Sequence, residues 1–344
     1  MITMLLILIS TYPWPMRPFD SAHGVSATLG DARGSVADPR FHRGIDIPAT
    51  NGTDVFSITS TDSAIAPIGY DYVRVGDYYY DHLTNRIDEG DSVTGILDTT
   101  TTSPTQIGDV MDYGTPGPAG DHLHFQVGPA GGPFENPLSH DDGPVGYDDT
   151  GAPSISSVDF WRQGSEEATA QQLDSILDGK VDIRARCQDT QTSGGVNNTS
   201  GIHKLEWLVT DTTGSDTLTI AQTITFPQVQ PPNNGDSVLL VYDRHNYTTY
   251  SPFYYWATNP IVNDQVEDRY WNTKRQEGEP DSVDADSIEV AKFKDGYYWV
   301  KIYAYDISDR ADSESVYVHV DNFSPKVKIA YPTDHYHHIE KYEK

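Results

Sequence analysis

The chain has 344 residues, more than one hydrophobic core usually serves, and its 37% hydrophobic and 11% aromatic content fits folded cores rather than extended disorder. A net charge of −28 repels nucleic acid and anionic lipid and so weighs against both as partners, while suiting high salt or an extracellular, calcium-containing medium. Tyrosine outnumbers phenylalanine 22 to 10, Val, Ile and Thr are abundant, and no long apolar stripe recurs every 3.6 residues, so an all-β chain is expected.

The first stretch, residues 1–15 ("MITMLLILISTYPWP"), carries an apolar run of about ten residues, too short to span a bilayer. It reads as a secretory signal segment, which would send the chain to the periplasm or outside the cell. No Lys or Arg precedes the run, and the alternative is a buried first strand. No other segment reaches membrane-spanning length.

Residues 16–148 hold short strand-like runs, "GIDIPA", "DYVRVGDYYYDHL" and "HLHFQVG", separated by turns. Around 140–153, "SHDDGPVGYDDTGAP" collects Gly, Pro and Asp, the composition of a linker, and predicts a domain boundary. The best helical pattern, 165–178, is short and polar. From 150 to 323 the runs "KVDIRARCQD", "IHKLEWLVTD", "DTLTIAQTITF", "GYYWVKIYAYD" and "SVYVHVDN" predict an antiparallel sandwich, interrupted by an insertion over about 227–287. Residues 324–344 restart like the opening of the preceding domain, as the start of a truncated repeat would, or form a tail. Cys187 is the single cysteine, so no intrachain disulfide is possible.

Chemistry concentrates in the first part. In "GDHLHFQV", His122 and His124 sit one residue apart in a predicted strand, on the same face and roughly 7 Å apart along the backbone. They are either polar residues of a solvated face or part of a metal site. Upstream, His42 and Asp46 of "HRGID" would be about 13 Å apart if extended; a bend at Gly44 would bring imidazole and carboxylate together. His82 closes a tyrosine-rich strand. Elsewhere, His335, His337 and His338 of the tail could bind metal, and Asp281, Asp284 and Asp286 could bind calcium, but solvated surfaces explain both. The aromatics of "YSPFYYWATNP" could form a glycan platform or simply pack the insertion onto the sandwich.

Taken jointly, "HRGID", "YDHL" and "GDHLHFQV", in that order, resemble the lysostaphin and LytM-type zinc endopeptidases that cut peptidoglycan. "IDEGDSVTG" and "GPFENPL" resemble that family's later loop and closing segment, and the resemblance covers roughly residues 15–140. It departs from the family over 56–70 and in lacking a Gly-rich stretch before the middle histidine. The later part resembles bacterial immunoglobulin-like modules, with "GYYWVKIYAYDISDRADSESVYVHVDN" as the last two strands.

The resemblance implies one zinc ion held by His42, Asp46 and His124, with His122 as general base and His82 assisting it and stabilising the oxyanion. A two-His, one-Asp site leaves a fourth position for water, and with no HExxH glutamate a histidine must take the proton. The expected function is a secreted, monomeric zinc metalloendopeptidase acting on peptidoglycan stems or cross-bridges. The alternatives are a non-catalytic wall-binding or hydrolase-activating relative, or a surface adhesion protein with a vestigial site.

Overall fold

The computed structural model describes residues 11–98, 103–114, 120–164, 171–214, 217, 222–226, 230–232, 235–273, 293–322, 327–330 and 338–341. The architecture is all-β, with antiparallel sheets and one short helix among these residues.

The first part contains β1 (Ala32–Ser35), β2 (Asp38–Phe41), β3 (Ile45–Pro48), β4 (Asp54–Phe56), β5 (Val73–Val75), β6 (Tyr78–Asp81), β7 (Leu83–Thr84), β8 (Gln106–Val110) and β9 (His122–Val127). Strands β3-β9-β6-β5 form one sheet, β4-β8-β7 a second, and β1-β2 a hairpin. The alternation seen in the sequence is the cause: Ile45, Ile47, Tyr80, Leu123, Phe125 and Val127 turn into one buried cluster. Tyr12 and Trp14 are buried in the same cluster, and residues 1–10 lie outside the described residues.

The second part is a two-sheet sandwich. Strands β10 (Ser154–Arg162), β11 (Gln172–Leu173), β12 (Ile176–Leu177), β13 (Lys180–Gln191), β14 (Asn198–Ser200), β15 (Lys204–Thr210) and β16 (Gln222–Thr225) precede helix α1 (Gly235–Val241). After it come β17 (Phe253–Trp256), β18 (Ile261–Val262), β19 (Gln265–Val266), β20 (Trp271–Asn272), β21 (Gly296–Tyr305) and β22 (Ala311–Val320). One sheet runs β11-β10-β13-β14, with β17 and β20 also pairing β13; the other runs β12-β22-β21-β15-β16. Within the polar 165–178 pattern, the described residues form the short strands β11 and β12 rather than a helix.

The insertion is not an appendage. Its β17 and β20 hydrogen-bond to β13, and Phe253, Tyr255 and Trp256 are buried, so the aromatic run is used in packing. Asp281, Asp284, Asp286, His335 and His337 lie outside the described residues, whereas His338 opens β24 (His338–Lys341), paired with β23 (Val327–Ala330).

The two parts interlock across the predicted boundary. Ala32 and Phe41 of the β1-β2 hairpin belong to the core of the sandwich, with the Phe41 ring 5.9 Å from that of Phe226 and 6.2 Å from that of Tyr242. The Tyr242 hydroxyl donates to the Gly30 carbonyl (2.7 Å), Gln230 Nε2 to that of Phe41 (3.1 Å) and the Gly201 amide to the Asp31 carboxylate (3.0 Å). The segment read as a linker is itself tied down: the Tyr147 hydroxyl donates to Gln191 Oε1 at 2.8 Å, and Asp149 accepts from the Thr192 amide at 2.9 Å.

Candidate metal centre

Register places the pieces. Asp46 of β3 lies directly opposite His124 of β9 in the antiparallel ladder, and cross-strand partners share a face. His42 follows the end of β2, and the chain bends at Gly44 before entering β3. The glycine is required by close approach: a Cβ there would lie 2.0 Å from the Phe125 carbonyl oxygen.

Three atoms then converge. His42 Nε2 is 3.0 Å from Asp46 Oδ1 and 2.9 Å from His124 Nδ1, and His124 Nδ1 is 2.8 Å from Asp46 Oδ1. All three residues are buried. His122 adjoins this triangle without entering it, its Nε2 3.6 Å from Asp46 Oδ1.

The donor set fits a cation. His42 Nδ1 is 2.8 Å from the Thr28 carbonyl oxygen, which can only accept, so this nitrogen carries the ring hydrogen. Burial, then Arg33, lowers the His42 pKa and keeps the ring neutral, so Nε2 presents a lone pair. Burial works to raise Asp46, but the His42 and His124 contacts hold it well below the usual carboxylate range, so Oδ1 presents a lone pair too. The His124 hydrogen can satisfy only one of these facing pairs. Such a triangle suits one ion whose His and Asp ligands stand about 2.0–2.2 Å away. The Thr28 carbonyl supplies the outer contact that fixes the ring of a ligating histidine. Arg33 Nη2, 3.1 Å from Asp46 Oδ2, occupies the other carboxylate oxygen.

Around the triangle sit the remaining histidines. His122 Nδ1 donates to the Gly120 carbonyl (2.7 Å), which leaves Nε2 as its free lone pair on the side of Asp46. His82, between β6 and β7 with φ of 67°, brings its ring centroid to 4.9 Å from that of His122 and 5.7 Å from that of His124. Burial, then His124 and His122, pushes the His82 pKa down to about 4, so its ring is neutral near pH 7. The Tyr113 hydroxyl is 2.7 Å from His82 Nδ1, and Asp71 Oδ2 is 3.4 Å from the same nitrogen.

The five residues of the three-part motif, His42, Asp46, His82, His122 and His124, are therefore gathered at one place. Arg33, Thr28, Asp71 and Tyr113 were not anticipated, since no spacing pattern links them to the motif. Arg33 also joins the centre to the insertion: its Nη1 donates to the Thr249 carbonyl (3.4 Å), and its carbonyl accepts from the Tyr247 hydroxyl (2.7 Å).

No family model, curated protein or solved structure matches this chain.

Proposed function

We propose that the chain is a zinc-dependent endopeptidase that hydrolyses peptide bonds of bacterial cell-wall peptidoglycan. The observation that carries this reading is the triangle of His42 Nε2, Asp46 Oδ1 and His124 Nδ1, with edges of 2.8–3.0 Å and an unligated histidine beside it. Zinc held there would supply Lewis-acid polarisation of the scissile carbonyl and lower the pKa of water.

The chain's own residues do the rest. His122 receives the proton of the attacking water at Nε2, because its Nδ1 is committed to Gly120, and passes it to the leaving amine. His82, neutral, accepts from the Tyr113 hydroxyl at Nδ1, which puts its ring hydrogen on Nε2, where it offers a hydrogen bond to the carbonyl oxygen as negative charge develops. The net reaction adds hydroxyl to the carbonyl carbon and hydrogen to the amine as the C–N bond breaks. Peptidoglycan as substrate rests on the three-part motif and on its resemblance to wall-cutting endopeptidases, and it entails action outside the cytoplasmic membrane; we place the enzyme there as a monomer. No helix among the described residues is long and apolar enough to cross a membrane.

The test is zinc content by elemental analysis together with release of free amines from purified peptidoglycan, with and without a chelator. Stoichiometric zinc and chelator-sensitive amine release support the proposal; zinc-loaded protein that releases none refutes it.

A further inference from the structure

Three buried carboxylates meet where the two parts of the chain join, on residues the histidine site does not use. Asp149 belongs to the connecting segment, Asp189 to β13, and Asp306 follows β21; their exposures are 1%, 2% and 0%. One oxygen from each lies within 4.8 Å of the others.

Asp149 Oδ1 is saturated by the Gly151 and Thr192 amides and the Thr192 hydroxyl, at 2.9–3.0 Å. Asp306 Oδ1 is saturated by the Ser308 and Arg310 amides at 2.8 and 2.7 Å. Asp189 accepts from the Thr190 amide at 2.8 Å and from Gln191 Nε2 at 2.6 Å. Asp149 Oδ2 and Asp306 Oδ2 remain: both are buried, and neither has a hydrogen-bond partner among the described residues. A buried carboxylate oxygen without a partner is costly.

Arg310 compensates in part. Its Nη1 stands 3.6 Å from Asp306 Oδ2, beyond hydrogen-bond reach, and donates instead to the Asp149 carbonyl. One guanidinium against three carboxylates leaves excess negative charge. Burial, then Asp149 and Asp306, pushes the Asp189 carboxyl up to about 8.

We propose that Asp149, Asp189 and Asp306 bind one calcium ion that fastens the connecting segment to the sandwich. Every donor is an oxygen, which selects a hard cation over zinc. Calcium–oxygen distances of about 2.3–2.6 Å allow ligand oxygens up to about 5 Å apart, and calcium tolerates irregular geometry, whereas magnesium demands a near-ideal octahedron. Tyr147 and Ile307, close in sequence to Asp149 and Asp306, both pack against the first core. Calcium held between them therefore stiffens the junction on which that core rests.

The test uses the full chain, stripped of metal and reloaded with one equivalent of zinc. Calcium chloride alone is titrated by calorimetry and by thermal melting, for the wild type, Asp149→Asn, Asp306→Asn and the control Asp46→Asn. The expected result is one calcium per chain in the wild type and in Asp46→Asn, with Tm rising with each tenfold increase in calcium above Kd. Both effects should vanish in the two junction variants. Because those variants could misfold, terbium luminescence of the wild type provides a second measurement. Calcium should displace terbium, and Tyr147→Phe should dim the sensitised emission. A wild type whose Tm ignores calcium and which shows no saturable binding overturns the proposal, as does calcium binding that survives in folded Asp149→Asn and Asp306→Asn.

Discussion

Asp46 and His124 are direct partners across β3 and β9, and their facing atoms, Oδ1 and Nδ1, are 2.8 Å apart. A pair proposed as ligands and built into a sheet register is held by the whole ladder rather than by a loop. Asp46→Ala or His124→Ala should therefore leave the sheet intact while zinc and peptidase activity are lost together, since two protein ligands retain a catalytic ion poorly. Elemental analysis beside circular dichroism checks this. Full zinc occupancy in either variant would refute the ligand assignment.

His122 lies outside the triangle, its Nε2 3.6 Å from Asp46 Oδ1. His122→Ala should keep zinc yet lower kcat by about 10²–10⁴-fold, the usual cost of removing a general base. Loss of zinc from this variant would make His122 a ligand instead.

The composition of residues 140–153 suggests that a chain ending near Asp149 would fold alone. The shared core argues otherwise, because Ala32 and Phe41 would lose the sandwich residues that bury them and Gly30 and Phe41 would lose donors to their carbonyls. A chain of residues 16–149 should lack a cooperative thermal transition. In the full chain, Phe226→Ala should cost about 3–5 kcal/mol in denaturant titration, as truncation of a buried ring does. A sharp transition with zinc bound in the short chain would show the first part to be autonomous.

His203 gives the fold a pH limit distant in sequence from the histidine motif. Burial lowers its pKa from 6.5 to about 4, with Asp309 opposing and Lys204 adding to the shift. The unfolded chain therefore takes up a proton at this ring before the folded chain does. Its contribution to stability is complete above pH 6.5 and is lost as pH falls from 6.5 toward 4. Melts across that window should show a steeper acid decline for the wild type than for His203→Gln. Equal slopes would contradict the assignment.

Much of the site was legible in the sequence because its rules are local. The alternation of "HLHFQV" puts His122 and His124 on one face, the short reach from His42 to Asp46 demands a bend, and Gly44 supplies it. Strands β3, β6, β9, β13, β15 and β21 likewise follow from alternating runs bounded by turn residues. Four features were decided only by tertiary structure. The β1-β2 hairpin was placed in the core of the sandwich, and Arg33 was held between Asp46 and Thr249. Tyr113 was set against His82, and Asp149, Asp189 and Asp306, which stand far apart in an acidic sequence, were brought to one point. Periodicity fixes which face a side chain takes but not which distant strand covers that face, and the second depends on how two sheets and an insertion pack around shared apolar surface.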